Sequence, residues 1–225
     1  MRTAKALGLA VLVVVITTTM GFAKAPKSAI VNSAHDLRAT YGTGSYTLCN
    51  YCHIAHKFTD VTAPASAGPL LWNHTLSSVT SYGVYTSDSF AGYATDISDL
   101  GTVATPTASN LCLSCHDGSV AVDSFYSAVT SGPNPGSTMM PADHTVKDLT
   151  QQHPINFTYN SALATAAGIK VPASTTSVDG AGEIPLFQGK MQCATCHDPH
   201  NGASGILAQK FPTQTSGTFC TYCHL

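Results

Sequence analysis

Apolar and polar residues alternate along this chain without the long periodic stretches that build large helices or sheets. The one sustained apolar run, residues 6–16, follows the basic residues Arg2 and Lys5 and precedes the small-residue segment 21–23. This order is typical of a secretory signal peptide, and the run is shorter than the roughly 20 residues that a membrane span needs. We therefore expect residues 1–23 to be removed on export. The mature chain would be 24–225, without a membrane span.

The rest of the pattern predicts few and short elements. Residues 79–100 carry aromatic side chains among Ser, Thr and Gly, a pattern that predicts extended strands with turns. Residues 161–168 predict one short helix that ends at Gly168. Residues 133–136 and 177–182 are rich in Pro, Gly and Asp or Asn and are predicted loops. The predicted fold class is mostly irregular and loop-rich, with short helices and few short strands.

The composition excludes several classes of protein. Charged residues make up 10% of the chain and the formal net charge is -2, which excludes a nucleic-acid binder that depends on a basic face. Glu183 is the one glutamate, so a coiled coil is excluded as well. The unusual counts are eight cysteines and ten histidines. They indicate a chain organised around something other than a large aliphatic core.

Every cysteine falls in the pattern Cys-x-x-Cys-His, which occurs four times. The copies are Cys49, Cys52 and His53; Cys112, Cys115 and His116; Cys193, Cys196 and His197; and Cys220, Cys223 and His224. In c-type haem attachment, two thiols bind the vinyl groups of one porphyrin and the histidine that follows binds the iron. A disulfide framework, a zinc site or a redox-active pair would not require a histidine after every second cysteine. We therefore predict four covalently bound haem c groups whose stack acts as the core.

The sixth ligand of each iron decides between electron transfer and catalysis. Six histidines remain for four positions: His35, His56, His74, His144, His153 and His200. Methionine is the rival ligand, and only Met139, Met140 and Met191 are available in the mature chain. We predict bis-histidine ligation throughout, with about two of the six histidines on the surface and His144 the first candidate for that role.

The order of the motifs divides the chain into two unequal halves. His56 and His200 each lie three residues after a proximal histidine, so each half reads Cys-x-x-Cys-His-x-x-His and then Cys-x-x-Cys-His. We interpret 24–225 as a single tetrahaem domain of two dihaem halves, approximately 24–135 and 136–225. One residue follows His224, so either upstream chain or another molecule must cover the fourth haem. With His35 near the mature N-terminus, these ends predict a head-to-tail homopolymer, although a monomer fits them equally well.

Five segments resemble the extracellular multihaem cytochromes with doubled Cys-x-x-Cys-His motifs, of the outer-membrane cytochrome E kind whose tetrahaem subunits build cytochrome nanowires. They are His53-Ile54-Ala55-His56, Pro69-Leu70-Leu71-Trp72-Asn73-His74, Leu111-Cys112-Leu113-Ser114-Cys115-His116-Asp117-Gly118, His153-Pro154-Ile155-Asn156-Phe157 and Cys196-His197-Asp198-Pro199-His200. The resemblance implies a continuous stack of bis-histidine haems, with distal ligands at His56, His74, His153 and His200. It also implies that His35 binds across a subunit boundary. The second leucine before Trp72 and the added His144 depart from the family pattern, and five family-like histidines compete for four irons.

These features predict an electron-transfer protein rather than an enzyme. The leading prediction is long-range electron transfer as the repeating subunit of an extracellular filament. The alternatives are a monomeric periplasmic electron shuttle and a multihaem oxidoreductase with an open iron, which would need nearby acid–base groups. The predicted partners are further copies of the chain, redox proteins or extracellular acceptors, and no nucleic acid.

Overall fold

The fold is taken from a computed structural model of the 225-residue chain. The structure describes residues 30–38, 48–53, 71–90, 107–127, 132–200 and 219–225. The predicted signal peptide (1–23) and His56 lie outside these ranges. Within them, no helix combines the length and the apolar character needed to cross a bilayer.

Short elements joined by long irregular segments make up the described chain, which confirms the predicted fold class. The helices are α1 (Ala108–His116), α2 (Ser161–Ala167) and α3 (Cys193–Cys196), and the 3₁₀ turns are Ala142–His144 and Cys220–Tyr222. The strands are β1 (Gly83–Val84), β2 (Ser124–Ser127), β3 (Gly132–Pro135), β4 (Asp148–Leu149), β5 (Phe157–Thr158) and β6 (Lys190–Met191). They form three two-stranded sheets: β1 with β4 in parallel, and β2 with β3 and β5 with β6 antiparallel.

The helix predicted over 161–168 is confirmed as α2. The Asn160 side chain accepts a hydrogen bond from the Leu163 amide (2.9 Å), which satisfies one of the free amides of the first turn. Gly168 ends the helix in the left-handed conformation at φ 65°, where an L side chain would be strained. The helix buries Leu163 and Ala164.

The prediction of a loop over 133–136 is wrong for residues 133–135, which belong to β3. Tyr126 lies opposite Pro133, and Ser124 lies opposite Pro135. Proline is tolerated at the edge of a sheet, where its missing N–H is not needed by a neighbour, so turn-type composition misled the prediction. Gly136 then turns the chain at φ 69°, and a side chain there would meet the Ala121 Cβ at 2.7 Å. The extended segment predicted over 79–100 contains β1 and a turn at 88–90, and 91–100 lies outside the described residues.

Two apolar clusters lie within the described chain. The larger contains Phe90, Phe157, Tyr159, Leu163, Val178, Ile184, Leu186 and Met191, and the smaller contains Tyr82, Leu113 and Leu149. Both combine residues from the two halves that the motifs define. A core built by stacked haems stays a prediction.

Candidate haem-binding site

Each attachment motif forms one tight turn. The second motif lies in α1, the third in α3 and the fourth begins in the 3₁₀ turn at 220–222. In the first, third and fourth motifs the histidine amide donates to the carbonyl of the first cysteine: His53 to Cys49 (2.7 Å), His197 to Cys193 (3.0 Å) and His224 to Cys220 (2.8 Å). The backbone of each motif is therefore wound into a helical turn between its two cysteines. All eight cysteines are free of disulfides.

The four motifs follow one another in space in the order of the sequence. Burial raises the pKa of the Cys115 thiol in the second motif, and the Cys52 sulfur of the first motif raises it further. Contact with Cys193 of the third motif, together with burial, raises the pKa of Cys112. Burial and the neighbouring Cys223 of the fourth motif raise the pKa of Cys196 to about 12. Thiols of consecutive motifs thus lie within electrostatic range of one another.

A buried polar network ties the second motif to the third. The Ser109 hydroxyl, in the first turn of α1, donates to the Gln192 side-chain oxygen (2.5 Å) and accepts from the Cys193 amide (3.1 Å). The Gln192 side-chain amide in turn donates to the Asn156 side-chain oxygen (2.7 Å). All three polar side chains are fully or almost fully buried. Because buried polar groups are costly when unpaired, this network holds α1 and α3 in one relative position. The sequence analysis missed all three residues.

Three pairs of histidine rings lie at one characteristic separation. The ring centres are 6.1 Å apart for His35 and His116, 6.1 Å for His53 and His200, and 6.4 Å for His153 and His224. An iron–nitrogen bond of about 2 Å, plus about 1.1 Å from that nitrogen to the ring centre, places two axial imidazoles about 6.2 Å apart. Each pair combines one proximal histidine with one of the six remaining histidines. These donor sets fit one haem iron held between two imidazoles.

Hydrogen bonds orient several of these rings. His116 Nδ1 faces the His144 carbonyl oxygen at 3.1 Å, and His153 Nδ1 faces the Pro154 carbonyl oxygen at 2.9 Å. His200 Nδ1 lies 3.3 Å from the Asp198 carboxylate. A ring whose Nδ1–H donates to such an acceptor keeps the Nε2 lone pair for a metal, which is the arrangement usual around metal-binding histidines.

The His35 ring lies beside the His116 ring of the same chain. Its Nδ1 atom is buried and has no hydrogen-bond partner. Burial, followed by repulsion from His116, lowers the pKa of His35 to about 4, so the ring is neutral at ordinary pH and able to bind a metal. Its predicted role across a subunit boundary stays a prediction. His144 has a side chain that is 67% exposed, and its carbonyl rather than its ring contacts the site.

His74 is placed differently from the paired histidines. Its ring is buried between two carbonyl oxygens, with Nδ1 2.7 Å from Thr75 and Nε2 3.0 Å from Ala121. The Nε2 atom also lies 3.4 Å from the Cys115 sulfur. The predicted distal ligand is therefore beside an attachment thiol, with both nitrogens engaged. For the third motif, His197 is exposed and within electrostatic range of His35.

A cavity of about 450 Å³ is lined by both histidines of the fourth pair. His153 and Pro154 line one part of it and Cys223 and His224 another, together with the aromatic rings of Tyr85, Phe90, Phe157 and Tyr159. This volume is within the range of about 300–1,000 Å³ typical of cofactor sites. Tyr85 and Phe90 come from the aromatic segment 79–100. The cavity, the thiol and the two imidazoles together fit an attached haem.

Upstream chain covers part of the fourth motif. The Lys170 amide donates to the Cys223 carbonyl (2.7 Å), and Ile169 forms a β-bridge with His224. The Tyr222 hydroxyl donates to the Glu183 carboxylate (2.9 Å). The residues just after α2 and the loop before Ile184 therefore hold this motif against the larger apolar cluster.

The alternative of a zinc site finds no support in the geometry. Among the described residues, no three His, Cys, Asp or Glu side chains converge as a metal ion would require. The imidazoles instead lie in pairs, at the separation given above.

Comparison with known proteins agrees with the haem-attachment motifs. No curated protein matches the chain. Residues 185–225, which contain the third and fourth motifs, match the family model described as doubled CXXCH motif. The match covers only this C-terminal part of the chain, and the motifs themselves indicate covalently bound haem c.

Proposed function

We propose that the chain carries four covalently attached haem c groups, each held by two histidines, and transfers electrons along them. The observation that carries this proposal is the recurrence of one ring separation, 6.1–6.4 Å, in three histidine pairs drawn from different parts of the sequence. Each pair also joins one proximal histidine to one of the six remaining histidines, as axial ligation requires.

The pairs suggest the ligand assignment. His35 and His116 hold the second iron, His200 and His53 the first, and His153 and His224 the fourth. His197 then takes His56 as its partner, because both ring nitrogens of His74 are engaged by carbonyl oxygens. When bound, each haem supplies reversible one-electron exchange. The chain holds each iron from both sides and thereby excludes substrates from it, which favours electron transfer over the oxidoreductase alternative.

The spatial order of the attachment motifs supports a linear path. The first motif lies by the second, the second by the third and the third by the fourth. The thioethers tether one porphyrin to each turn, and the buried network of Ser109, Gln192 and Asn156 keeps the middle two turns together. Electrons would therefore enter near one end of the series and leave near the other.

We further propose that copies of the chain associate head to tail outside the cell and extend this path. The support is the family resemblance, together with the exposed fourth motif, where Cys220 and His224 are both at the surface. Export depends on the N-terminal segment, so N-terminal sequencing of the secreted protein should begin at Lys24. The monomeric shuttle is the second candidate, and electron microscopy separates the two: filaments support the first, and uniform single particles the second.

The haem proposal is tested on the holoprotein produced in a host with haem-attachment machinery. Intact mass should show four haems, and a Cys220→Ala, Cys223→Ala double variant should show three. The reduced protein should give the spectrum of six-coordinate low-spin haem and should not shift with carbon monoxide. Fewer than four haems in the parent protein, or a carbon monoxide shift, would overturn the proposal.

A further inference from the structure

An acidic residue directly follows each histidine of the pair assigned to the second iron. Asp36 follows His35, and Asp117 follows His116. Both side chains are buried, and Asp117 is fully inaccessible to solvent. Buried carboxylates are rare unless they are paired or hydrogen-bonded, so two of them beside one candidate haem site need an explanation.

The two carboxylates differ in how their charge is balanced. Asp36 receives two hydrogen bonds from the Arg38 guanidinium, both at 2.8 Å, and a third from the Asn32 amide (2.8 Å). Its negative charge is therefore matched by a positive one. The same bonds hold the segment that contains His35, in which Asn32 adopts the left-handed conformation at φ 62°.

Asp117 is bound by neutral donors. It accepts hydrogen bonds from the Tyr82 hydroxyl (2.6 Å), from the Ser119 amide (2.8 Å) and from the Ser77 hydroxyl. Donors that converge on both oxygens select the ionised carboxylate, which is an acceptor only. Lys147, whose Cε lies close to Gly118, is exposed, so water screens its charge.

A negative charge at Asp117 affects the reduction potential of an iron held by His116. Oxidation adds one positive charge to the iron, and a buried anion nearby stabilises the oxidised state more than the reduced state. Asp117 directly follows His116, so their Cα atoms are about 3.8 Å apart, and the Asp117 side chain is fully buried. Groups outside the ligand set are known to tune metal sites in this way.

We propose that Asp117 is a potential-setting residue of the second haem site, where its buried carboxylate, bound by neutral donors, lowers the reduction potential of that haem. This inference rests on the proposed function. It gives the Tyr82 and Ser77 hydroxyls a role as supports of the carboxylate rather than as ligands.

The test is a redox titration of the holoprotein followed by electron paramagnetic resonance, in which each ferric haem is seen to disappear at its own potential. The signal of the second haem is identified first, from its change in a His35→Met variant. Asp117→Asn removes the charge and keeps the size, and should raise the potential of that haem alone. Asp148→Asn is the matched control, because Asp148 is exposed and the same loss of charge is screened there.

A structural effect would have the opposite sign. Loosening the site would admit water, which stabilises the oxidised iron and lowers the potential. If Asp117→Asn folds, an unchanged or lowered potential overturns the proposal. If it does not fold, Tyr82→Phe decides: removing one donor exposes the charge, so the potential should fall at a pH of about 8, and no change overturns the proposal. Failure of the proposed function is seen separately, in the haem count of the parent protein.

Discussion

The rings of His53 and His200 lie 6.1 Å apart with their planes only 15° from parallel, although the two residues come from the first and third motifs. Sequence proximity would pair His200 with its own proximal histidine, His197. The chain instead crosses between motifs, so that the histidine just after one attachment site lies beside the proximal histidine of another. The other two pairs also join distant segments, and their planes are 62° and 82° apart.

His200→Ala should open one coordination position of the first haem. The reduced variant should then bind carbon monoxide at a single haem, whereas the parent protein should bind none. His144→Ala is the control, because the His144 side chain is exposed and its carbonyl is unaffected by the change. A His200→Ala spectrum that carbon monoxide leaves unchanged would remove His200 from the ligand set.

Ser109→Ala should loosen the contact between α1 and α3. It removes the hydroxyl that bonds Gln192 and leaves the Cys193 amide without that acceptor, at an expected cost of about 1–3 kcal/mol. Ser114→Ala is the matched control, since this buried hydroxyl on the same helix bonds the Leu111 carbonyl of that helix (2.6 Å). Thermal melting measures the cost of each change. Soret circular dichroism should report altered haem–haem coupling for Ser109→Ala only, and equal spectra would contradict a role in haem spacing.

Phe90→Ala should destabilise the larger apolar cluster and the fourth haem site together. Phe90 is 6% exposed, lies 4.9 Å from the Phe157 ring centre and lines the cavity between His153 and His224. Removing a buried phenylalanine costs about 3–5 kcal/mol, and denaturant unfolding of the holoprotein should show a loss of that size. Tyr85→Ala, at a 37% exposed position in the same cavity, should cost much less. Equal losses would show that the cavity wall does not depend on Phe90.

The loop before Ile184 should respond to pH through Asp179. Partial burial opposes its ionisation, but hydrogen bonds from the Ser177 hydroxyl and from the Glu183 and Ile184 amides lower the pKa of Asp179 below its usual value. A group with a lowered folded-state pKa stabilises the fold above its unfolded pKa of about 3.9, and this contribution is lost as pH falls through the folded value.

Asp179→Asn should therefore reduce stability by about 1 kcal/mol near neutral pH, a figure discounted for the partial exposure of this side chain. The difference from the parent protein should shrink at pH values below about 4 and vanish in stronger acid. Asp88→Asn, at an exposed turn position, is the control and should stay within about 0.5 kcal/mol of the parent. A difference that persists in acid would assign the effect to packing.

Local chemistry made some features predictable. The four motifs follow from cysteine and histidine spacing, and the turn that each motif forms follows from the same short range. The helix at Ser161–Ala167 was predictable because its cap, Asn160, and its stop, Gly168, are neighbours in sequence. The strand at Gly132–Pro135 was not, because its pairing with Ser124–Ser127 is a tertiary contact that overrides turn-type composition.

The sequence by itself determined the kind of site, since four Cys-x-x-Cys-His motifs and six further histidines specify the chemistry without reference to their positions in space. Only the tertiary structure decided which imidazoles face each other, why His74 differs from the others, and that Asp117, Ser109 and Gln192 surround the attachment segments. The physical reason is range: thioether chemistry acts between residues three apart, whereas axial pairing and buried charge depend on which distant segments pack together.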